Sequence, residues 1–319
     1  MSHYTGSGTI LQIAKEPSFK ATVDATTLVN HSSESINVSV TKQEEGTLLS
    51  GKVSTLKELM SVNVDGSFSF VLNPEFAGLL LHLALGGEDA VTSNEDGESY
   101  THTIALSNAN VQLPTFSIFL DKKAVVKKYP GVTVSSLNLE CPASDYVKGS
   151  IDLKGTEEQS GTINGSNTTF TLPSYRCVGS TLKIADNIFD VSNTTFKIDN
   201  ALEEVPKTYK SGLYNNRPVN GKRLITLDLS IPYSDEIEVF KDNYLLANST
   251  AALSLEFSTR DPLYKLSIDI PNVMVTSVSS NISGTGLLSS SISSEVVSVG
   301  SAEPISVKII DKIATSYSG

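Results

Sequence analysis

The sequence holds no tryptophan, two cysteines and four histidines in 319 residues. Each shortage removes a class of protein. Two cysteines, Cys141 and Cys177, cannot make a disulfide framework and are read as reduced thiols of a cytosolic product. His3, His31, His82 and His102 stand far apart without metal-ligand spacing, so neither a metal nor a cofactor is expected. His82 falls on a helix and is expected to be packed or half-exposed. Basic residues are outnumbered: 24 Lys and Arg against 35 Asp and Glu give a formal net charge of -11, with a pI near 4.9. Such a chain lacks a basic nucleic-acid footprint and repels a phosphate backbone. The longest apolar run, Leu79 to Leu85 with His82 inside it, is too short to span a bilayer, so no membrane partner is expected. The opening Met1-Ser2-His3-Tyr4 is polar, and no leader peptide is expected.

Catalytic patterns are missing too. No nucleophile elbow, P-loop or dinucleotide glycine fingerprint occurs, and Gly284-Thr285-Gly286 reads as a turn. Glu44-Glu45 and Glu203-Glu204 are neighbours in sequence rather than carboxylates set across a cleft, so no enzyme is expected. Sequons at Asn30, Asn37, Asn164, Asn167, Asn193, Asn248 and Asn281 reflect a chain rich in Ser, Thr and Asn.

What the chain does have is repetition. Pro130-Gly131-Val132-Thr133-Val134-Ser135-Ser136-Leu137 returns as Pro271-Asn272-Val273-Met274-Val275-Thr276-Ser277-Val278, an offset of 141 residues. At that offset Ser150-Ile151 meets Ser291-Ile292. Gly8 to Ala14 is echoed by Gly179 to Ala185, and the alternating Ser35 to Val40 by Thr195 to Asp199. Each alternating strand runs into a polar excursion, Thr41 to Leu59 and Asn200 to Arg223, carrying Glu-Glu and then Thr-x-x-Ser-Gly. Echoes in one order imply tandem duplication. The expected fold is mainly β: two duplicated β-sandwich domains, each with a short flanking α-helix. Residues 1–157 form the first, 158–174 a Gly/Ser/Thr/Asn-rich linker and 175–319 the second.

A long strand follows each excursion. Val62, Val64, Phe68 and Phe70 share one face if Asp65-Gly66 is a bulge, with Ser61, Asn63, Asp65, Ser67 and Ser69 opposite. In the second half Ile225, Leu227, Leu229 and Ile231 are buried, and Thr226, Asp228 and Ser230 look away. Asn73 caps a helix that opens with Pro74 and Glu75, buries Phe76, Leu79, Leu80 and Leu83, and stops at Gly86-Gly87. Its shorter counterpart has Ser234 as cap and runs from Asp235 to Phe240.

The order of these pieces resembles a known family. It includes Gly66-Ser67-Phe68-Ser69-Phe70, Leu85-Gly86-Gly87-Glu88 and Tyr100-Thr101-His102-Thr103. Leu113-Pro114-Thr115-Phe116, Val134 to Leu139 and Gly149 to Gly155 follow. Together they resemble the tail tube proteins of long, non-contractile-tailed bacteriophages. The first half carries the motifs; the second is matched mainly through the repeat. The short second helix and the lack of an added immunoglobulin-like domain depart from the pattern.

The resemblance implies a structural virion protein. Neighbouring copies join their inner sheets into a barrel, and rings stack into a tail tube through which double-stranded DNA passes into the host. It implies assembly in the bacterial cytoplasm with a tape measure protein and tail-end proteins. Rings of this family have six tube domains, so three two-domain subunits close a pseudo-sixfold trimer. A true hexamer with the second half outside the tube is the alternative assembly. The lumen is expected to be lined by Ser61, Asn63, Asp65, Ser67, Ser69, Thr226, Asp228 and Ser230. Ring stacking is expected to use Lys42, Glu44, Glu45, Lys52 and Lys57 with Glu203, Glu204, Lys207 and Lys210. A different function class, a two-domain β-sandwich adhesin or carbohydrate-binding module, needs an exposed aromatic platform, and the 11 Tyr and 11 Phe are scattered.

Overall fold

The alternating segments pair as antiparallel strands, and the protein is mainly β with two α-helices among the described residues. The computed structural model describes residues 5–44, 46, 56–107, 111–185, 187–280, 287–300 and 303–318. His3, Glu45, Lys52, Asn281 and residues 284–286 lie outside them.

The first half comprises β1 (Ile10–Lys15), β2 (Thr27–Val29), β3 (His31–Glu34), β4 (Asn37–Glu44), β5 (Lys57–Val71), α1 (Pro74–Leu85), β6 (Gly86–Ser93), β7 (Tyr100–Leu106), β8 (Phe116–Asp121), β9 (Val126–Pro142) and β10 (Lys148–Gly155). There follow β11 (Gln159–Ser160), β12 (Arg176–Ile184), β13 (Asn187–Ile188), β14 (Asn193–Asp199), β15 (Leu202–Glu203), β16 (Val219–Asn220), β17 (Leu224–Pro232), α2 (Asp235–Phe240), β18 (Thr250–Ser258), β19 (Lys265–Ser280), β20 (Ser289–Val296) and β21 (Ser306–Asp311).

Eight of these strands make one antiparallel run in the order β4-β5-β10-β9-β14-β17-β20-β19. The run consists of two four-strand units, and β9 pairs with β14 where they meet. The units share their registers. Ser150 faces Ser69 and Ile151 faces Phe68; 141 residues after the first of each pair, Ser291 faces Ser230 and Ile292 faces Leu229. Even the irregularity repeats. Asp152 faces Ser136 and Leu153 faces Val134, so Ser135 is an extra residue; Thr276, at the same offset, is the extra residue between Val275 and Ser277.

Pro130 and Pro271 sit inside β9 and β19 rather than ahead of them. Each lies at a register shift where the strand changes partners. That position tolerates a residue with no N–H to give to a ladder. Before its proline β9 pairs with β8, which continues to β1 and β2. Before its own, β19 pairs with β18 and β21. β21 then pairs with β7 of the first half, so the C-terminal strand ties the two halves together. One contiguous apolar core contains residues of both.

α1 starts and stops as the sequence dictates. The Asn73 side chain accepts from the Glu75 N–H (2.9 Å), Pro74 opens the helix, and Gly86 ends it at φ 72°. Phe76, Leu79, Leu80 and Leu83 are buried, and so is the opposite face, His82 included. Of the two placements expected for His82, packed or half-exposed, the structure has the packed one. The cause is cover from distant chain: Phe170 packs on Phe76, and the Tyr317 ring lies against Gly78. α2 follows Ser234 at the expected place, but the Ser234 side chain makes no capping hydrogen bond, and the helix continues into a π-helical turn, Lys241–Leu246.

Two further expectations change, and the expected linker is shown in detail. β5 needs no bulge at Asp65-Gly66: its register with β10 is unbroken, because Val62, Val64, Phe68 and Phe70 already share parity. The irregularity falls at Met60, opposite Thr41 and Lys42. Gly66 is required for another reason: a Cβ there would stand 2.6 Å from the Ile36 Cα, at φ 157°. The first polar excursion begins and ends as paired strand, since β4 reaches Glu44 and β5 starts at Lys57. The segment 158–174 is fastened down: β11 pairs with β9, the Gln12 side chain bonds Asn164 and Asn167, and Glu75 accepts from Thr171 and Leu172.

Candidate assembly surface

The eight-strand run has one apolar and one polar face, as strands with period-two alternation must. Phe68, Ile151, Leu137, Ile198 and Ile225 form a buried row across five strands. On the other face Ser69, Ser150, Asn138, Lys197, Thr226 and Glu295 form an unbroken polar row across six. The eight lining residues expected from the sequence all lie on this polar face. Asp65 and Asp228 are exposed; Ser61, Asn63, Ser67, Ser69, Thr226 and Ser230 are half-buried. Acidic groups dominate the face: Asp65, Glu140, Asp152, Asp199, Asp228 and Glu295 outnumber Lys148, Lys154 and Lys197. Each of these lysines has a carboxylate near it: Asp145 at 2.5 Å, Glu204 at 3.1 Å and Asp199 at 4.0 Å respectively.

The residues expected to stack rings divide into two groups. Lys42, Glu44 and Lys57 lie on the β4–β5 arm, with Glu44 directly opposite Lys57. The second group is drawn toward the first half of its own chain. Lys207 bonds the Ser61 hydroxyl and the Leu213 carbonyl (2.7 Å), and the Val62 N–H donates to Leu213. Glu204, Asn215 and Asn216 line a small cleft with Asn63 and Asp65. Glu203 on β15 and Lys210 in the turn at Thr208–Ser211 are exposed. The structure thus brings Lys207, expected to stack rings, against Ser61, expected on the lining.

Sequence reasoning missed a buried polar cluster beneath α1. His102 Nδ1 lies 2.8 Å from Asp89, and Nε2 lies 2.8 Å from the Ile313 carbonyl and 3.3 Å from Asp311. The Tyr317 hydroxyl donates to Asp311 (2.6 Å), and its N–H donates to Asp89 (2.7 Å). Burial opposes a charged His102, but the hydrogen bonds and negative charge of Asp311 and Asp89 prevail and lift its pKa to about 10. Burial likewise opposes an ionised Asp89, and bonds from His102 and the Tyr317 N–H hold its pKa below the usual carboxylate value. His82 goes the other way. Burial and then Lys15 lower it to about 4, against smaller raising effects of Asp89 and the Gly87 backbone. These groups are enclosed and serve packing; their only sequence trace is the Tyr-Thr-His-Thr motif.

Among the described residues no group of His, Cys, Asp and Glu could hold a metal ion, and no helix is long and apolar enough to cross a membrane. Cys141 and Cys177 are free and buried; the hydrogen bond between them and then burial push the Cys141 thiol up.

No curated protein matches this sequence. A family model described as "Phage tail tube protein" matches residues 6–308.

Proposed function

The chain belongs to the phage tail tube protein family, a family of structural tail proteins and not of enzymes, and on that premise we propose how it builds its tube. Copies close into rings through the eight-strand sheet, and stacked rings form a hollow channel for double-stranded DNA. The observation that carries this is the sheet itself: two units with shared registers joined edge to edge, with one apolar face inside the subunit and one acidic, hydroxyl-rich face outside it. The repeated Ser135 and Thr276 bulges support a tandem duplication. Three such chains supply six equivalent units, so a trimeric ring is favoured over a hexamer. Facing inward, the polar face offers passing DNA repulsion rather than a grip. The charged β4–β5 arm and the excursion at Glu203 to Lys210 meet the adjacent rings, where complementary charge sets register. A tape measure protein and tail-end proteins are the further partners, met during assembly in the host cytoplasm.

Charge reversal on the polar face tests the lining. Asp65→Lys with Asp228→Lys is expected to leave tubes intact and slow DNA release from assembled virions. Unchanged ejection kinetics from normal tubes would place this face away from the channel.

A further inference from the structure

We infer that the outer edge of β19 in one copy pairs antiparallel with the β4 edge of the next copy, with Val278 opposite Val38 and Ser277 opposite Ser39. The inference rests on the ring reading above and specifies its joint.

The template lies inside the chain. β9 closes the first four-strand unit and β14 opens the second, and between them Ser136 faces Asp199, Leu137 faces Ile198 and Asn138 faces Lys197. β19 corresponds to β9 at the offset that carries Ser135 onto Thr276. β4 corresponds to β14 through their partners. Asn37 faces Asp65 and Lys197 faces Thr226, and Asp65 and Thr226 are separated as the helix caps Asn73 and Ser234 are. Carrying the internal pairs across gives Ser277 to Ser39, Val278 to Val38 and Ser279 to Asn37.

The two outer edges look like that seam left open. Leu137 and Ile198 are fully buried, whereas their counterparts Val278 and Val38 are only partly covered. Among the described residues β4 pairs only with β3's neighbour β5, and residues 275–280 of β19 pair only with β20. Exposed edges are ordinarily blunted by charge or proline. Residues 35–41 and 273–280 contain no Lys, Arg, Asp, Glu or Pro. Both edges are polar on one face and apolar on the other, in the same sense as the sheet they end. A head-to-tail joint is heterologous, and it closes a ring when each step repeats the rotation of the one before. A joint between copies that mimics the β9–β14 seam supplies that repetition.

Cysteine cross-linking tests the register. Directly opposite residues alternate between close and wide spacing, so one of the pairs Val38→Cys/Val278→Cys and Ser39→Cys/Ser277→Cys falls at disulfide distance. The native cysteines are buried and silent. Concentrated protein is oxidised with copper phenanthroline, resolved on a non-reducing gel and imaged in parallel by electron microscopy. One matched pair is expected to give covalent multimers, while Val40→Cys/Val278→Cys, two residues out of register, stays monomeric. Stronger cross-linking of the displaced pair, or tubes with no cross-link in either matched pair, overturns the joint and leaves the tube reading standing. Cross-links without tubes keep the joint and overturn the tube reading. Folded protein that is monomeric at every concentration overturns both. Val38→Lys provides a second check: it is expected to fold, because Val38 lies at an open edge, and to lose assembly. Unchanged assembly of this variant overturns the joint.

Discussion

Leu137 of β9 and Ile198 of β14 stand directly opposite each other, both fully buried, where the first half of the chain meets the second. The seam is therefore core, not a surface contact between independent modules. Leu137→Ala is expected to lower the unfolding free energy of the isolated chain by about 2–5 kcal/mol. Val278→Ala, its counterpart at the open edge, is expected to cost about 1 kcal/mol or less. Urea denaturation of the two variants checks the contrast, and equal losses would count against the correspondence.

The two buried histidines give the fold opposite pH responses. His102 titrates near 10 in the fold and near 6.5 when exposed, so its cation stabilises fully below pH 6.5 and the benefit is lost as pH rises through 10. His82 titrates near 4, so protonation of the unfolded chain weakens the fold as pH falls from 6.5 toward 4. His102→Gln is expected to lower Tm, with a deficit that shrinks from pH 6.5 to 10. His82→Leu is expected to raise Tm at pH 5 relative to pH 8. Parallel Tm-against-pH curves for wild type and both variants would contradict these assignments.

Gly78 leaves room for the Tyr317 ring, and a Cβ there would overlap it. Gly78→Ala is expected to dislodge the C-terminal segment and open the Asp311–Tyr317 bond. Hydrogen exchange at residues 313–318 should rise many-fold while exchange in β5 and β10 stays slow. Unchanged protection of that segment would mean that the tail is held by other contacts.

Reversal of Glu44 and Glu45 to Lys tests the stacking role of the β4–β5 arm. Shorter tubes, with a changed salt dependence of polymerisation, are expected. Polymerisation that keeps its wild-type salt dependence would remove the arm from the ring-to-ring contact.

Much of this was legible in the sequence because period-two alternation writes both faces of a strand. The parity of Val62 to Phe70 against Ser61 to Ser69, and the caps Asn73 and Ser234, carry the sheet face and both helix starts. Other features were hidden for physical reasons. A proline ordinarily marks a strand boundary, yet Pro130 and Pro271 lie within strands because each occupies a bulge. The arm from Lys42 to Glu44 has no apolar face to announce it, since it reaches beyond the core. The burial of His82 depends on Tyr317 and the pairing of β21 with β7, contacts that no local pattern encodes.

Electron microscopy of the concentrated protein, with rotational averaging of end-on views, tests the central claim most directly. The account predicts hollow tubes whose rings contain three subunits, each with two lobes on the wall. Rings of six equivalent subunits, with half of every chain outside the wall, would contradict it.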